Sequence, residues 1–246
     1  MRNRAVVLGV CSLILLGWGC RSDAGRQGGN ATSTSSDPGK RSEKIIDLPA
    51  FTGIELRLAA EVELTPGEVQ EILVQGPSEV LENLNTEVKN GIWIISTNKK
   101  TQTKDVKVFI TSPLIERVIL SSSGSVSSTG IFKTKDAVEL SLSGSGNIHF
   151  LAESKRVMGE VSGSGDIRME GKTGSLEIEI SGSGSVDASN LESEDVEVDI
   201  SGSGDCRVDA RDKLDVDISG SGEVRYKGNP KLRSKIQGSG NVSPMN

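Results

Sequence analysis

Aromatic side chains are nearly missing from this chain: they make up 3% of its 246 residues. A layered core built around Phe, Tyr and Trp is therefore excluded, and aliphatics must do the packing. Histidine is scarcer still. His149 is the single one, which excludes a multi-histidine metal site and leaves any Ser-His-acid triad resting on one residue. Cysteine is confined to Cys11, Cys20 and Cys206. Positive charge is in deficit, with 28 Lys and Arg against 34 Asp and Glu and a net charge of −6. Phosphate recognition needs clustered cations, so nucleic acid is not an expected partner. Long apolar runs are absent too, the stretch Ala5–Leu16 falling short of the roughly 20 residues that span a bilayer as a helix.

That stretch has another meaning. Arg2 and Arg4 precede it, as in an export signal. It ends in "LLGWGC", which resembles the lipobox of bacterial lipoproteins, where a small residue precedes a cysteine that becomes the lipidated N-terminus. Gly19 and Cys20 fit; Gly17 and Trp18 depart from the commonest pattern, and a plain secretory signal is the alternative. Loss of residues 1–19 takes Arg2 and Arg4, leaving 26 cations against 34 acids, a charge of −8. With Cys20 acylated and Cys11 removed, Cys206 has no partner for an internal disulfide. It occupies an apolar position, where a free cysteine behaves as a small hydrophobe.

Residues 20–43 read as the lipidated cysteine and a flexible tether. From Arg21 onward they hold no aliphatic larger than Ala24 and Ala31, too little to offset ordering entropy. Such a chain relaxes to roughly 25 Å end to end, enough to hold a folded part clear of a lipid surface.

Glycine and serine are abundant, and they repeat. Phrases ending at Gly124, Gly146, Gly165, Gly184, Gly204, Gly222 and Gly240 are spaced by 22, 19, 19, 20, 18 and 18 residues, most of them reading Ser-Gly-Ser-Gly. Two residues after these glycines stand Val126, Ile148, Ile167, Val186, Cys206, Val224 and Val242. Four before them stand Leu120, Leu142, Val161, Ile180, Ile200, Ile218 and Ile236. Period-two alternation on both sides of a glycine corner, kept in register at a period near twenty, predicts strands stacked in parallel as a solenoid. Hairpins of a sandwich are the alternative, but they would not need like residues at like positions. The fold class expected is all-β, a parallel β-helix with coils of about 18–22 residues.

Residues 44–246 are read as one β-helix, with irregular coils over 44–120 and regular coils over 121–242. The first part keeps short alternating strands such as "GIWIIST" and "VKVFITS", and "PSEVLENLNTEV" has room for a helical turn. These irregular coils are expected to continue the others and to cap the N-terminal end. The order "FTGIELRLAAEVELTPGE", "ILVQGPSEVLENLNTEVKNGIWIIS", "VKVFITSPLIERVILSSSGSV", then the Ser-Gly-Ser-Gly coils, resembles the head GIN domain family of bacterial envelope proteins over residues 44–242. The resemblance implies a right-handed β-helix and an adhesin-like role at the cell envelope, and it carries no catalytic residues to transfer.

Three groups could bear chemistry. His149 falls on an outward column with Arg168, Asp187, Arg207 and Arg225, which points to surface rather than catalysis. Asp166, Asp205 and Glu223 follow the corner glycines and would be calcium ligands of a β-roll, yet their column also holds Ser125, Asn147, Ser185 and Asn241, and the period is about twice that of such rolls. The outward acids are the third group: Glu177, Glu197 and Asp215 in one column, and Glu160, Glu179, Asp199 and Asp217 in the next. Like charges about 4.8 Å apart repel by roughly 0.9 kcal/mol in water and about 3.5 kcal/mol at an effective dielectric of 20. Arginine, bound cations or a basic partner would relieve this; splayed, solvated side chains are the bland reading.

The function expected is a non-enzymatic, lipid-anchored binding module of the envelope, at the outer membrane, with no cofactor unless calcium sits on the acid columns. Its partners would be the membrane, through the anchor, and a surface glycan or protein. A polysaccharide-acting enzyme using the outward carboxylates is one alternative. A periplasmic structural or sensory lipoprotein is the other.

Overall fold

The computed structural model describes residues 41–99 and 105–245. The signal segment, Cys20 and the tether up to residue 40 lie outside the described residues.

From Arg117 onward the chain winds as the repeat predicts. β8 (Arg117–Leu120), β9 (Ser125–Ser128) and β10 (Phe132–Lys133) form one coil. β11 (Ala137–Leu142) and the start of β12 (Asn147–Val161) form the next. The strands β13 (Asp166–Ile180), β14 (Ser185–Gly202) and β15 (Asp205–Gly220) each run through the bend between coils, and β16 (Glu223–Lys227), β17 (Lys231–Gly238) and β18 (Asn241–Pro244) complete the stack. The result is a parallel β-solenoid of about seven turns. The apolar columns are ladders in fact: Val157 pairs with Leu176, Leu176 with Val196 and Val196 with Leu214, and Val161, Ile180, Ile200 and Ile218 stack likewise. All of these are at most 2% exposed. Such burial of branched aliphatics, about 1.5–3 kcal/mol per side chain, is what holds coil on coil.

The corners explain the glycines by proximity. A Cβ built on Gly146 would lie 2.1 Å from the carbonyl oxygen of Gly124, and one on Gly165 would lie 2.1 Å from that of Gly146. At the corners a positive φ that favours glycine enters only in the later coils, as at Gly220 (φ +143°) and Gly238 (φ +127°). Successive corners are joined by backbone bonds, as from the Ser221 N–H to the Gly202 carbonyl at 2.9 Å. The Ser122 hydroxyl adds a side-chain bond, donating to the Leu58 carbonyl at 2.6 Å.

The N-terminal part departs from the expected order. It holds β1 (Arg41–Ile45), β2 (Gly53–Leu56), β3 (Glu61–Pro66), β4 (Glu71–Pro77), α1 (Ser78–Asn83), β5 (Val88–Lys89), β6 (Ile92–Ile95) and β7 (Lys107–Ser112). The β2–β3 coil is inserted between two others: it pairs in parallel with β8 and β9 on one side and with β6 and β7 on the other. The later pair β6–β7 is therefore the outermost level, and the coils of this half do not stack in chain order. The outer edges of β7 and β6 are covered, because β4 runs antiparallel to β7 and β5 antiparallel to β6; β1 runs antiparallel to β4 and, among the described residues, has no second partner strand. β1 takes in Arg41–Glu43, which the sequence pattern alone assigns to the tether. Helix α1 supplies the helical turn, burying Val80 and Leu81.

Candidate functional site

The outward acids form continuous ladders on the face that leads into the corners. Glu177 pairs with Glu197 and Glu197 with Asp215; Glu160, Glu179, Asp199 and Asp217 follow one another in the next ladder. Cations stand at the ends. Arg117 pairs with Glu139, Lys213 with Asp215, and Lys235 with Asp217 at 2.8 Å. Between them lie Glu160, Glu177, Glu179, Glu197 and Asp199, none of which forms an ion pair among the described residues. Burial, then Asp217 and Glu177, push the Asp199 carboxyl above its ordinary range, against the opposing pull of Lys235. One shielded oxygen of Asp215 has no hydrogen-bond donor.

The same fold compensates its ladders elsewhere. Lys133, Glu153, Lys172 and Glu192 stack in alternating sign, with Lys172 3.1 Å and Arg211 3.4 Å from Glu192. Asp187 likewise sits between Arg168 and Arg207. Its burial pushes the carboxyl up, but bonds from the Ser189 hydroxyl and N–H and the two arginines outweigh this and hold it below the usual range.

His149 lies in the column the alternation gives it, beside Arg168. Its Nε2 is 3.0 Å from Glu170 Oε1, to which Arg168 Nε donates at 2.9 Å. Among the described residues no hydroxyl is hydrogen-bonded to His149, so the nucleophile–base contact of a triad is not formed. Asp166, Asp205 and Glu223 do share one ladder with Ser185 and Asn241. Their carboxylates are engaged locally: the Ser185 hydroxyl donates to Asp166 at 2.6 Å, the Glu223 N–H to Asp205 at 3.2 Å, and Arg225 to Glu223 at 2.9 Å. Among the described residues no group of three or more His, Cys, Asp or Glu is disposed to hold a metal ion.

A parallel β-solenoid of this kind has relatives. Residues 50–230 match the family described as putative auto-transporter adhesin, head GIN domain. The chain belongs to that family. Solved structures similar to this head GIN domain include a putative adhesin from Bacteroides fragilis (TM-score 0.79, 22% identity, 84% of this chain and 98% of the other). Others are a putative adhesin from Parabacteroides merdae (TM-score 0.67, 19%, 85% and 97%) and a putative lipid binding protein from Parabacteroides distasonis (TM-score 0.69, 22%, 85% and 98%). At these identities the likeness is one of fold. No curated protein matches the chain.

Within this head GIN domain Cys206 is buried in the core, where desolvation foremost pushes its thiol far up, so it packs and does not react. The aromatics are spent in the same way. Trp93, Phe132 and Phe150 are at most 1% exposed, and the two phenylalanine rings stack at 5.5 Å. Of these, sequence periodicity places only Phe150, which stands four residues after a corner glycine in a column with Met169, Ala188, Val208 and Tyr226, whereas Phe132 lies on a short closing strand without a repeat signal. A shallow groove runs along the acid face, lined by Met158, Glu160, Glu177 and Glu179 among others. Its floor includes Gly159, where a Cβ would meet the Met169 methyl at 2.3 Å. No helix among the described residues is long and apolar enough to cross a membrane.

Proposed function

We propose that this head GIN domain is a non-enzymatic binding module of the cell envelope, anchored by a lipid on Cys20, held off the outer membrane by the segment up to residue 40, and docking a cationic partner on its acid face. The observation that carries the docking is the contrast between ladders: the solenoid alternates charge where it can, yet leaves Glu160, Glu177, Glu179, Glu197 and Asp199 uncompensated. A sheet face with one sign of charge speeds and orients the encounter with a basic surface. The family's description as an adhesin fits a protein or glycan ligand presented outside the cell. Sugar-cleaving chemistry is less well supported, because Trp93, Phe132 and Phe150 are packed inside and not available as stacking platforms.

The deciding experiment is labelling of the folded domain on intact cells with an impermeant reagent, with a periplasmic protein as control. Labelling of the domain while the control stays dark is the expected result. A domain as protected as the control ends the adhesin reading and leaves a periplasmic lipoprotein with a protein partner. Cys20→Ser should release the protein from the membrane fraction in either case.

A further inference from the structure

The two ends of the solenoid are finished differently. At the N-terminal end β4 and β5 occupy the outer edges of β7 and β6. At the other end β17 pairs only with β15, and β18 only with β16, among the described residues. The inward positions of this last level are consequently uncovered: Leu232 is 43% and Ile236 is 41% exposed, although the residues beneath them, Leu214 and Ile218, are 0% exposed. An edge of this kind is a template for another strand.

The charges on the edge say which strand. Lys231, Arg233 and Lys235 alternate with the inward Leu232, Ser234 and Ile236 and form a basic row along β17. The ladder beneath shows what such a row accepts, since Arg233 lies over Asp215 and Lys235 over Asp217. A second copy of the chain fits poorly. Two β17 strands meeting antiparallel would set cations opposite cations, which is destabilising, and the strand at the N-terminal edge of another copy, β1, offers the basic row a single acid, Glu43, beside Arg41 and Lys44.

We propose that the β17 edge captures an extended segment of another protein, with Asp or Glu at alternate positions and branched aliphatics between them, as an added parallel strand. The acids would lie against Arg233 and Lys235, the aliphatics on Leu232 and Ile236. Main-chain bonds supply the affinity and the alternation supplies the register. This site is at the end of the solenoid, where Arg233 and Lys235 terminate the acid ladders, and it takes partners of the charge opposite to those the acid face takes.

The test uses a fluorescent peptide copying residues 194–202, EDVEVDISG, the strand type that the ladder already accepts. Anisotropy should show binding, weakened at least about tenfold when its acids are replaced by lysine. Hydrogen exchange should show the amides of residues 231–238 protected by the acidic peptide. Arg233→Glu with Lys235→Glu should reverse the charge preference. Leu232→Asp with Ile236→Asp should abolish binding, and unchanged circular dichroism shows that each variant is folded. Absence of protection at 231–238 overturns the proposal, as does binding indifferent to peptide charge. Dimers in sedimentation that the same variants dissociate would overturn it in favour of a second copy.

Discussion

Ile200 and Asp199 are neighbours in sequence and opposites in physics. Ile200 is 1% exposed in a stack of aliphatics, whereas Asp199 faces outward between Glu179 and Asp217. Ile200→Asp places an unpaired charge in the core and should cost several kcal/mol, about 3 or more. Asp199→Asn should be stabilising by less than about 1 kcal/mol at pH 7, because the site is largely exposed and screened. The sign follows from the raised carboxyl: the folded protein holds a proton that the unfolded chain releases, so ionised Asp199 detracts from stability above its folded-state range. As pH falls below the ordinary carboxylate range both states are protonated, and the gain from Asp199→Asn should vanish. Urea melts of both variants at pH 7 and pH 3 check this; equal stability of the two at pH 7 would overturn the inward and outward assignment.

At the scale of the strand, the ladder is the unit that matters, and most of it is legible in the residue pattern. A period near twenty with like residues at like offsets leaves parallel stacking as the economical solution, so the columns from Leu120 and from Glu177 and Glu160 follow directly. The order of the first levels does not. Nothing local in "GIELRL" or "GIWIIS" states that the later strand will lie outside the earlier one, because pairing partners in a parallel sheet are chosen by long-range fit. The stretch that closes a coil, such as residues 191–193 within β14, is hidden for another reason. Its buried hydroxyls, such as Ser193, which donates to the Leu191 carbonyl at 3.0 Å, look polar in sequence and defeat an alternation test. The acid ladders are legible as positions but not as a site. Millimolar calcium should raise the melting temperature if their repulsion is strong enough to recruit cations, and the rise should be lost when Glu177, Glu179, Glu197 and Asp199 are neutralised together. A flat calcium titration of the unaltered protein would leave the face to mobile salt.

Across the whole molecule, stability is close to a sum of coils and the contacts between adjacent ones. Removal of one regular coil, residues 205–222, joins Gly204 to Glu223 with equivalent corner geometry on both sides. That deletion should leave a cooperative β-rich protein, less stable by roughly one coil's contribution. Deletion of residues 53–66 should instead prevent folding, because β2 and β3 bridge β6–β7 to β8–β9. Circular dichroism and thermal melts of the two deletions separate these outcomes; survival of the second would mean that β6–β7 can seat directly on β8–β9.

The interleaved first level also gives the protein a direction of growth. A coil made early whose two neighbours are both made later cannot be duplicated without disturbing three segments of chain, whereas a unit between two corner glycines can be copied in place, each copy lengthening the rod by about 4.8 Å. The N-terminal end thus serves as a fixed origin, and reach is a quantity that selection can adjust in single steps by adding turns downstream of it.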